Sequence, residues 1–160
     1  MGGWIYNGEC RLIKTDYLLS YPEENTYNEE QEGEFLAKKS DSGNEIEIVA
    51  FVENAVVGTA GIEAIGEKYK VRHRARFGIS IDRMFWGLGI GTALLDACIE
   101  CAKIAGYEQL ELDVVAENKR AVPMYKKAGF VEYGRNKKGF KSRILGFQEV
   151  ILMSLDLCAP

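Results

Sequence analysis

The sequence is poor in the residues that build metal sites and in the charge that attracts nucleic acid. It holds one histidine, His73, and four cysteines, of which Cys98 and Cys101 read as CxxC with no second cysteine pair to complete a zinc signature. No metal site is expected, and core packing is the better reading for that pair. Cys10 and Cys158 stand near opposite termini, where only the fold could bring them together. Lys and Arg number 20 against 24 Asp and Glu, a formal net charge of −4, which argues against a nucleic-acid partner. No apolar run is long enough to cross a bilayer, so no membrane partner is expected either. The start, MGGWIYNGEC, lacks the charged beginning and apolar core of a signal peptide. Reduced thiols in a cytoplasmic setting are the expectation that follows. Internal repeats and low-complexity tracts are also missing.

What is present is an ordinary globular composition, 47% hydrophobic and 28% charged, in 160 residues, enough for a single domain over 1–160 with its own core. The chain is organised around Ala75 to Lys103. In Phe77-Gly78-Ile79-Ser80-Ile81 large apolar residues alternate with small ones, the period of a strand with one buried face. From Thr92 onward the period changes, and Leu94, Leu95, Cys98, Ile99 and Ala102 fall on one stripe of a helix. Gly87, Gly89 and Gly91 occupy the junction. Alternate glycines before a helix let backbone N–H groups approach a ligand, and the helix dipole favours an anion there, so the stretch reads as a phosphate cradle. It is neither a dinucleotide GxGxxG nor a Walker A loop, because Thr92 or Leu94 stands where each needs glycine. Glycines that serve only a tight turn and close helix packing are the competing reading.

Around this centre the pattern predicts further elements. Thr26 and Glu29 resemble a capping box opening a helix that runs to Lys39, and Ser40 to Asn44 is a loop. Glu45 to Val52 and Ala55 to Ile62 alternate as two antiparallel strands joined by Glu53-Asn54. Lys68 to Arg76 reads as a basic antiparallel neighbour leading into the central strand. Ala105-Gly106 closes the helix, and Gln109 to Val115 returns as a strand. Strand, helix and strand at this spacing form a right-handed parallel crossover, which places the strands ending at Ile81 and Val115 side by side. Asn118 caps a short helix through Lys127, closed by Gly129, with Pro123 expected to distort its second turn. Phe130 to Tyr133, resuming near Phe140, and Glu149 to Leu157 supply two last strands.

The WGLGIG turn and the later LELDVVAENKRAVPMYKKAGF together resemble the core of the GNAT superfamily of acyl-CoA-dependent N-acyltransferases. That family's turn reads Arg/Gln-x-x-Gly-x-Gly/Ala. Its later segment reads Asn-x-x-Ala-x-x-x-Tyr-x-x-x-Gly-Phe, matched here at Asn118, Ala121, Tyr125, Gly129 and Phe130. The resemblance covers the chain from about Thr26 to its end and implies a mixed, mostly antiparallel central sheet with one parallel, splayed strand pair, flanked by helices. The N-terminal part is then expected to be shortened. Trp86 departs from the pattern where the family has Arg or Gln, and Arg76 stands where some relatives carry a glutamate base.

The resemblance implies acetyl-CoA as cosubstrate, without a metal, and an acetyl group passed to a primary amine of a small molecule or of a protein or peptide. Its pantetheine arm is expected along Ile79, Ser80 and Ile81, with Asn118 and Tyr125 nearby. Its pyrophosphate is expected on Gly87, Leu88, Gly89, Ile90, Gly91 and Thr92. The Ile81 N–H is the expected donor to the thioester oxygen. Tyr125 is the expected acid for the leaving thiolate, against the alternative of a core tyrosine. Asp113 matches the position of a catalytic glutamate in the ribosomal-protein alanine acetyltransferases, against the alternative of a solvent-facing carboxylate. His73 reads as exposed. Glu23, Glu24, Glu29, Glu30, Glu32 and Glu34 hint at a cationic acceptor such as a polyamine, a plain solvated helix face being the better reading. A homodimer is left open. The alternative function is a non-catalytic acyl-CoA-binding sensor or regulatory domain.

Overall fold

The computed structural model describes Tyr21, Glu24 and residues 28–158. Cys10, Glu23, Thr26 and the alternation around Arg11-Leu12-Ile13 lie outside the described residues. The elements run α1 (Glu29–Asp41), β1 (Ile46–Val52), β2 (Ala55–Ala64), β3 (Arg74–Ile81), a 3-10 turn (Arg83–Phe85), α2 (Ile90–Ile104), β4 (Gln109–Val115), α3 (Ala121–Lys127), β5 (Val131–Ser142) and β6 (Gly146–Asp156). Six strands form one sheet in the order β1-β2-β3-β4-β6-β5. Every neighbouring pair is antiparallel except β3 and β4, as the crossover spacing predicts.

That parallel pair is short. It joins Arg74 to Gln109, Ala75 to Leu110 and Arg76 to Glu111, and then stops. β3 continues to Ile81, paired with β2 as far as Ile81 opposite Gly58. β4 continues to Val115, paired with β6 throughout. Each strand is held on its outer side while the inner sides part, so the sheet opens into a wedge toward the carboxyl ends of β3 and β4.

One face of the sheet is apolar because period-2 alternation turns Ala60, Ile62, Ala75, Phe77, Leu110, Leu112, Val114 and Met153 the same way. The predicted stripe of α2 packs on it, with Leu94, Leu95, Cys98, Ile99 and Ala102 all buried. Burial of Leu94, Leu95 and Ile99 contributes about 1.5–3 kcal/mol each. Gly106, at a φ of 82°, ends the helix in the left-handed conformation that its sequence position predicts. The opposite face is polar and carries Glu47, Glu63, Arg74, Arg76, Glu111 and Asp113. There α1 lies beside β1 with Lys39 buried; its ammonium donates to Glu63 Oε1 at 3.1 Å and lies 3.6 Å from Glu47 Oε2.

Four local expectations are corrected. The capping box of α1 is formed by Asn28 and Gln31, each side chain bonding the other's backbone N–H at 2.9 and 3.0 Å, which sets the helix start at Glu29. Asn caps as well as Thr, and Gln serves at the third position as Glu does. The helix then runs through Ser40 to Asp41 instead of ending before it. Lys68 to His73 is not a strand but a chain of tight turns, closed by bonds such as Val71 N–H to the Lys68 carbonyl at 2.9 Å, and β3 starts at Arg74. Pro123 is the third residue of α3, in the first turn, where its missing N–H has no intrahelical partner to lose, so it does not distort the helix.

Candidate active site

A cleft of about 690 Å³ occupies the wedge, lined by residues of β3, the turn after it, β4 and α3. Its β3 wall is an open strand edge. The Asp82 N–H donates to the Val57 carbonyl at 2.8 Å, toward β2. Backbone groups alternate sides along a strand, so Ser80 and Gly78 also face β2, while Ile79 and Ile81 turn their N–H and C=O toward the wedge. The predicted pairing edge is therefore made of Ile79 and Ile81 rather than all three residues.

The glycine turn follows. Gly87 and Gly89 hold φ of 79° and 83°, the left-handed region where a side chain is strained, and a Cβ on Gly89 would meet nothing within 4 Å. Gly91 has a packing reason instead, since its Cβ would come within 3.0 Å of Ile81 Cδ1 and 3.3 Å of Met124 Sδ. The turn delivers the chain into α2 with Gly89 as N-cap, no capping side chain and no acidic residue in the first turn. By contrast, α1 has its capping box and three acids, Glu29, Glu30 and Glu32, in the same positions. The first N–H groups of α2 thus stand at the positive end of a 15-residue helix with no side chain bonded to them. Such a turn is able to receive an anion.

Trp86 takes a role of its own. Its Nε1–H donates to the Ile81 carbonyl at 2.9 Å, tying the turn to the end of β3. Two guanidiniums stack on its ring, Arg120 at 5.4 Å and Arg83 at 5.9 Å from the centroid. Arg120 also lines the cleft beside the turn, where its Nη1 would lie 3.8 Å from a Cβ on Gly87. Arg120 thus places a positive charge at the cleft wall beside Trp86. Sequence reading missed Arg120, since its distance of 33 residues from Gly87 hides the contact; its place two residues after Asn118 is the one available hint.

Asn118, Asp113 and Tyr125 converge on the same space. The Asn118 side-chain oxygen accepts from the Ala121 N–H at 3.1 Å and so caps α3, leaving its NH₂ as the group to offer the cleft. Tyr125 is buried between Phe77 and Phe130, with ring centroids 6.1 and 5.9 Å away, and still borders the cleft. Burial pushes its phenol well above the ordinary tyrosine range, so the group holds its proton. Asp113 is exposed and lines the cleft from the polar face of β4. Of the predicted contact residues, Ile79, Ser80, Ile81, Gly87, Gly89, Gly91, Thr92, Asn118 and Tyr125 line the cleft. Leu88 and Ile90 do not: Leu88 projects outward at 68% exposure, and Ile90 packs against the core.

Other candidates fall away from the cleft. His73 is half-buried in the turn before β3, where its carbonyl receives the Glu108 and Gln109 N–H groups at 2.9 and 3.2 Å. Cys98 is a core thiol that burial pushes up to about 12. Cys98, Cys101 and Cys158 are free, and the described residues contain no cluster able to hold a metal. No described helix is long and apolar enough to cross a membrane. Glu24, Glu29, Glu30, Glu32 and Glu34 do not line the cleft, so the hint of an acidic acceptor site finds no support.

Comparison with known proteins gives concordant likenesses. The profile of the Acetyltransferase (GNAT) family matches residues 11–130. A GNAT-family acetyltransferase from Streptococcus pneumoniae superposes with a TM-score of 0.85 at 31% identity, over 90% of this chain and 86% of that one. The L-amino acid N-acetyltransferase AaaT of Escherichia coli K12 is 33% identical over 93 residues, which is 58% of this chain and 57% of that protein's length. The chain thus spans less than two thirds of that relative. YncA of Salmonella typhimurium, solved with its cofactor acetyl-CoA, shares the fold with a TM-score of 0.74 at 16% identity, over 84% of this chain and 79% of that one.

Proposed function

This chain belongs to the Acetyltransferase (GNAT) family, and from that premise we propose that it transfers the acetyl group of acetyl-CoA to a primary amine. The observation that carries the proposal is the wedge itself. An open strand edge at Ile79 and Ile81 leads directly to an uncapped helix N-terminus behind two left-handed glycines. An acyl-CoA is an extended amide-bearing arm ending in a pyrophosphate, which is the complement of those two features. The arm pairs with Ile79 and Ile81 and receives the Asn118 NH₂. The pyrophosphate rests on the backbone of Gly87, Leu88, Gly89, Ile90, Gly91 and Thr92, where Leu88 and Ile90 contribute main chain only. Trp86 already occupies one acceptor site on the Ile81 carbonyl, so registry depends on the Ile81 N–H and on Ile79.

The chain's residues then divide the reaction. The amine nitrogen forms a bond to the thioester carbonyl carbon while the C–S bond breaks. The Ile81 N–H faces the wedge and receives the charge that develops on the carbonyl oxygen. Tyr125, on the α3 side, offers its proton to the departing sulfur, and Asp113, on the polar side of β4, takes the proton the amine must lose. Acid and base approach from opposite faces of the split sheet, which keeps them from neutralising each other.

Two outcomes test the cofactor's position. Gly89→Asp places a carboxylate against the pyrophosphate, and a calorimetric titration should show acetyl-CoA affinity at least tenfold weaker, about 1.4 kcal/mol. Full affinity in a folded variant would move the cradle elsewhere. Arg120→Gln removes an exposed charge, so the expected loss is smaller, about two- to fivefold, and it should vanish in high salt because the interaction is solvent-screened. A loss independent of salt would assign Arg120 a packing role on Trp86 instead.

A further inference from the structure

Arg76 is the last residue of β3 to pair with β4, and it shares the polar face of the sheet with Arg74, Glu111 and Asp113. Its two cross-strand neighbours are carboxylates, Glu63 on β2 and Glu111 on β4. Either could neutralise a guanidinium. Both are engaged elsewhere: Glu63 Oε1 accepts from Lys39 Nζ at 3.1 Å, and Glu111 is gripped by the Arg74 fork, with Nη2 to Oε2 at 2.9 Å, and by Gln109 Nε2 at 2.8 Å. Among the described residues the Arg76 side chain enters no ion pair. It is exposed and lines the cleft.

Phosphate groups of the cofactor are not its natural partner. Arg76 lies five residues back from Ile81, about 16 Å along the strand, at the far end of the open edge from the glycine turn. Asp113, by contrast, is near. It stands two residues along β4 from Glu111, the register partner of Arg76, about 6.6 Å farther on the same face, and it too is exposed and lines the cleft. Phe140 closes the lining of the cleft. A guanidinium and a carboxylate, neither within ion-pair distance of a charged partner among the described residues, therefore face the same opening.

Resting on the acetyl-transfer reading above, we infer that the acceptor is a small primary amine that also carries a carboxylate, an amino acid or a close analogue. The Arg76 fork anchors the carboxylate, and Asp113 faces the amine. A polyamine would meet one carboxylate and one repelling guanidinium. A peptide N-terminus has no α-carboxylate for the fork to hold.

The test measures free thiol released from acetyl-CoA with matched sets: the twenty amino acids, their carboxamides, and the corresponding decarboxylated amines. The wild type should favour a free acid over its own amide and amine by at least tenfold in kcat/KM. Arg76→Gln should erase that preference by raising KM for the acid at least tenfold, with kcat and calorimetric acetyl-CoA affinity little changed, and Arg76→Lys should restore part of it. Equal or better turnover of amides and amines by the wild type overturns the anchor while leaving acetyl transfer standing. A preference for acids that survives in Arg76→Gln also overturns it. If no member of any set releases thiol although acetyl-CoA binds, the anchor falls together with the transfer reading on which it rests.

Discussion

Replacing Tyr125 with phenylalanine is expected to lower turnover by about 10²-fold while acetyl-CoA affinity and thermal stability stay close to wild type. The ring and its edge contacts with Phe77 and Phe130 are kept, so the packing that buries the residue is unchanged. Only the hydroxyl is lost. Because burial raises the phenol's pKa, the proton is in place wherever the reaction runs. The same shift limits the effect: a CoA thiol titrates near the ordinary value of about 8.5, below the phenol, so full transfer to sulfur is uphill. The donor's contribution belongs at the low end of the 10²–10⁴ range, about 10². A steady-state assay of thiol release checks this. Full activity in the variant would make the hydroxyl a spectator.

Asp113→Asn is expected to cost about 10²-fold in kcat near neutral pH and to recover as pH rises. An ammonium cannot attack a carbonyl, so a base is needed only while the acceptor is protonated. Raising pH supplies the free amine without the carboxylate, and the gap between variant and wild type should narrow. Acetyl-CoA affinity should hold, since Asp113 sits on the polar face of β4, away from the glycine turn. The kcat and KM split separates two roles. A loss confined to KM would mean that Asp113 steers the ammonium without taking its proton, and an unchanged kcat at every pH would return it to the solvent-facing alternative.

Much of this arrangement is legible in the chain because it depends on local rules. The stripe Leu94, Leu95, Cys98, Ile99 and Ala102 follows from helical period alone, and all five are buried. The β3-α2-β4 crossover follows from spacing, and the two turn glycines follow from the backbone angles they hold. Local rules also misled where two patterns share a composition. The basic stretch Lys68 to His73 alternates well enough to pass for a strand, yet its Val71 and Arg72 N–H groups close turns on the Lys68 carbonyl. Thr26 and Glu29 have the right letters and spacing for a capping box, but Asn28 and Gln31, two residues on, take that role.

The rest is decided by contacts distant in the chain. The parallel pairing stops at Arg76 while β2 and β6 stay paired along the outer sides of β3 and β4, and the residue pattern of neither strand marks that point. The bond from Trp86 to the Ile81 carbonyl and the stacking of Arg120 turn an apparent defect in the family's motif into a different way of building the same corner. The open guanidinium of Arg76 emerges only once the partners of Glu63 and Glu111 are known.

The most direct measurement is a two-dimensional NMR titration of the 15N-labelled chain with acetyl-CoA, following each backbone amide. The account predicts saturable shifts at Ile79, Ile81 and Gly87 through Thr92, with the Asn118 side-chain NH₂ moving in parallel and the far strands β1 and β5 little changed. Saturable shifts confined to other elements, with the Ile81 and Gly89 amides unmoved at saturation, would contradict it.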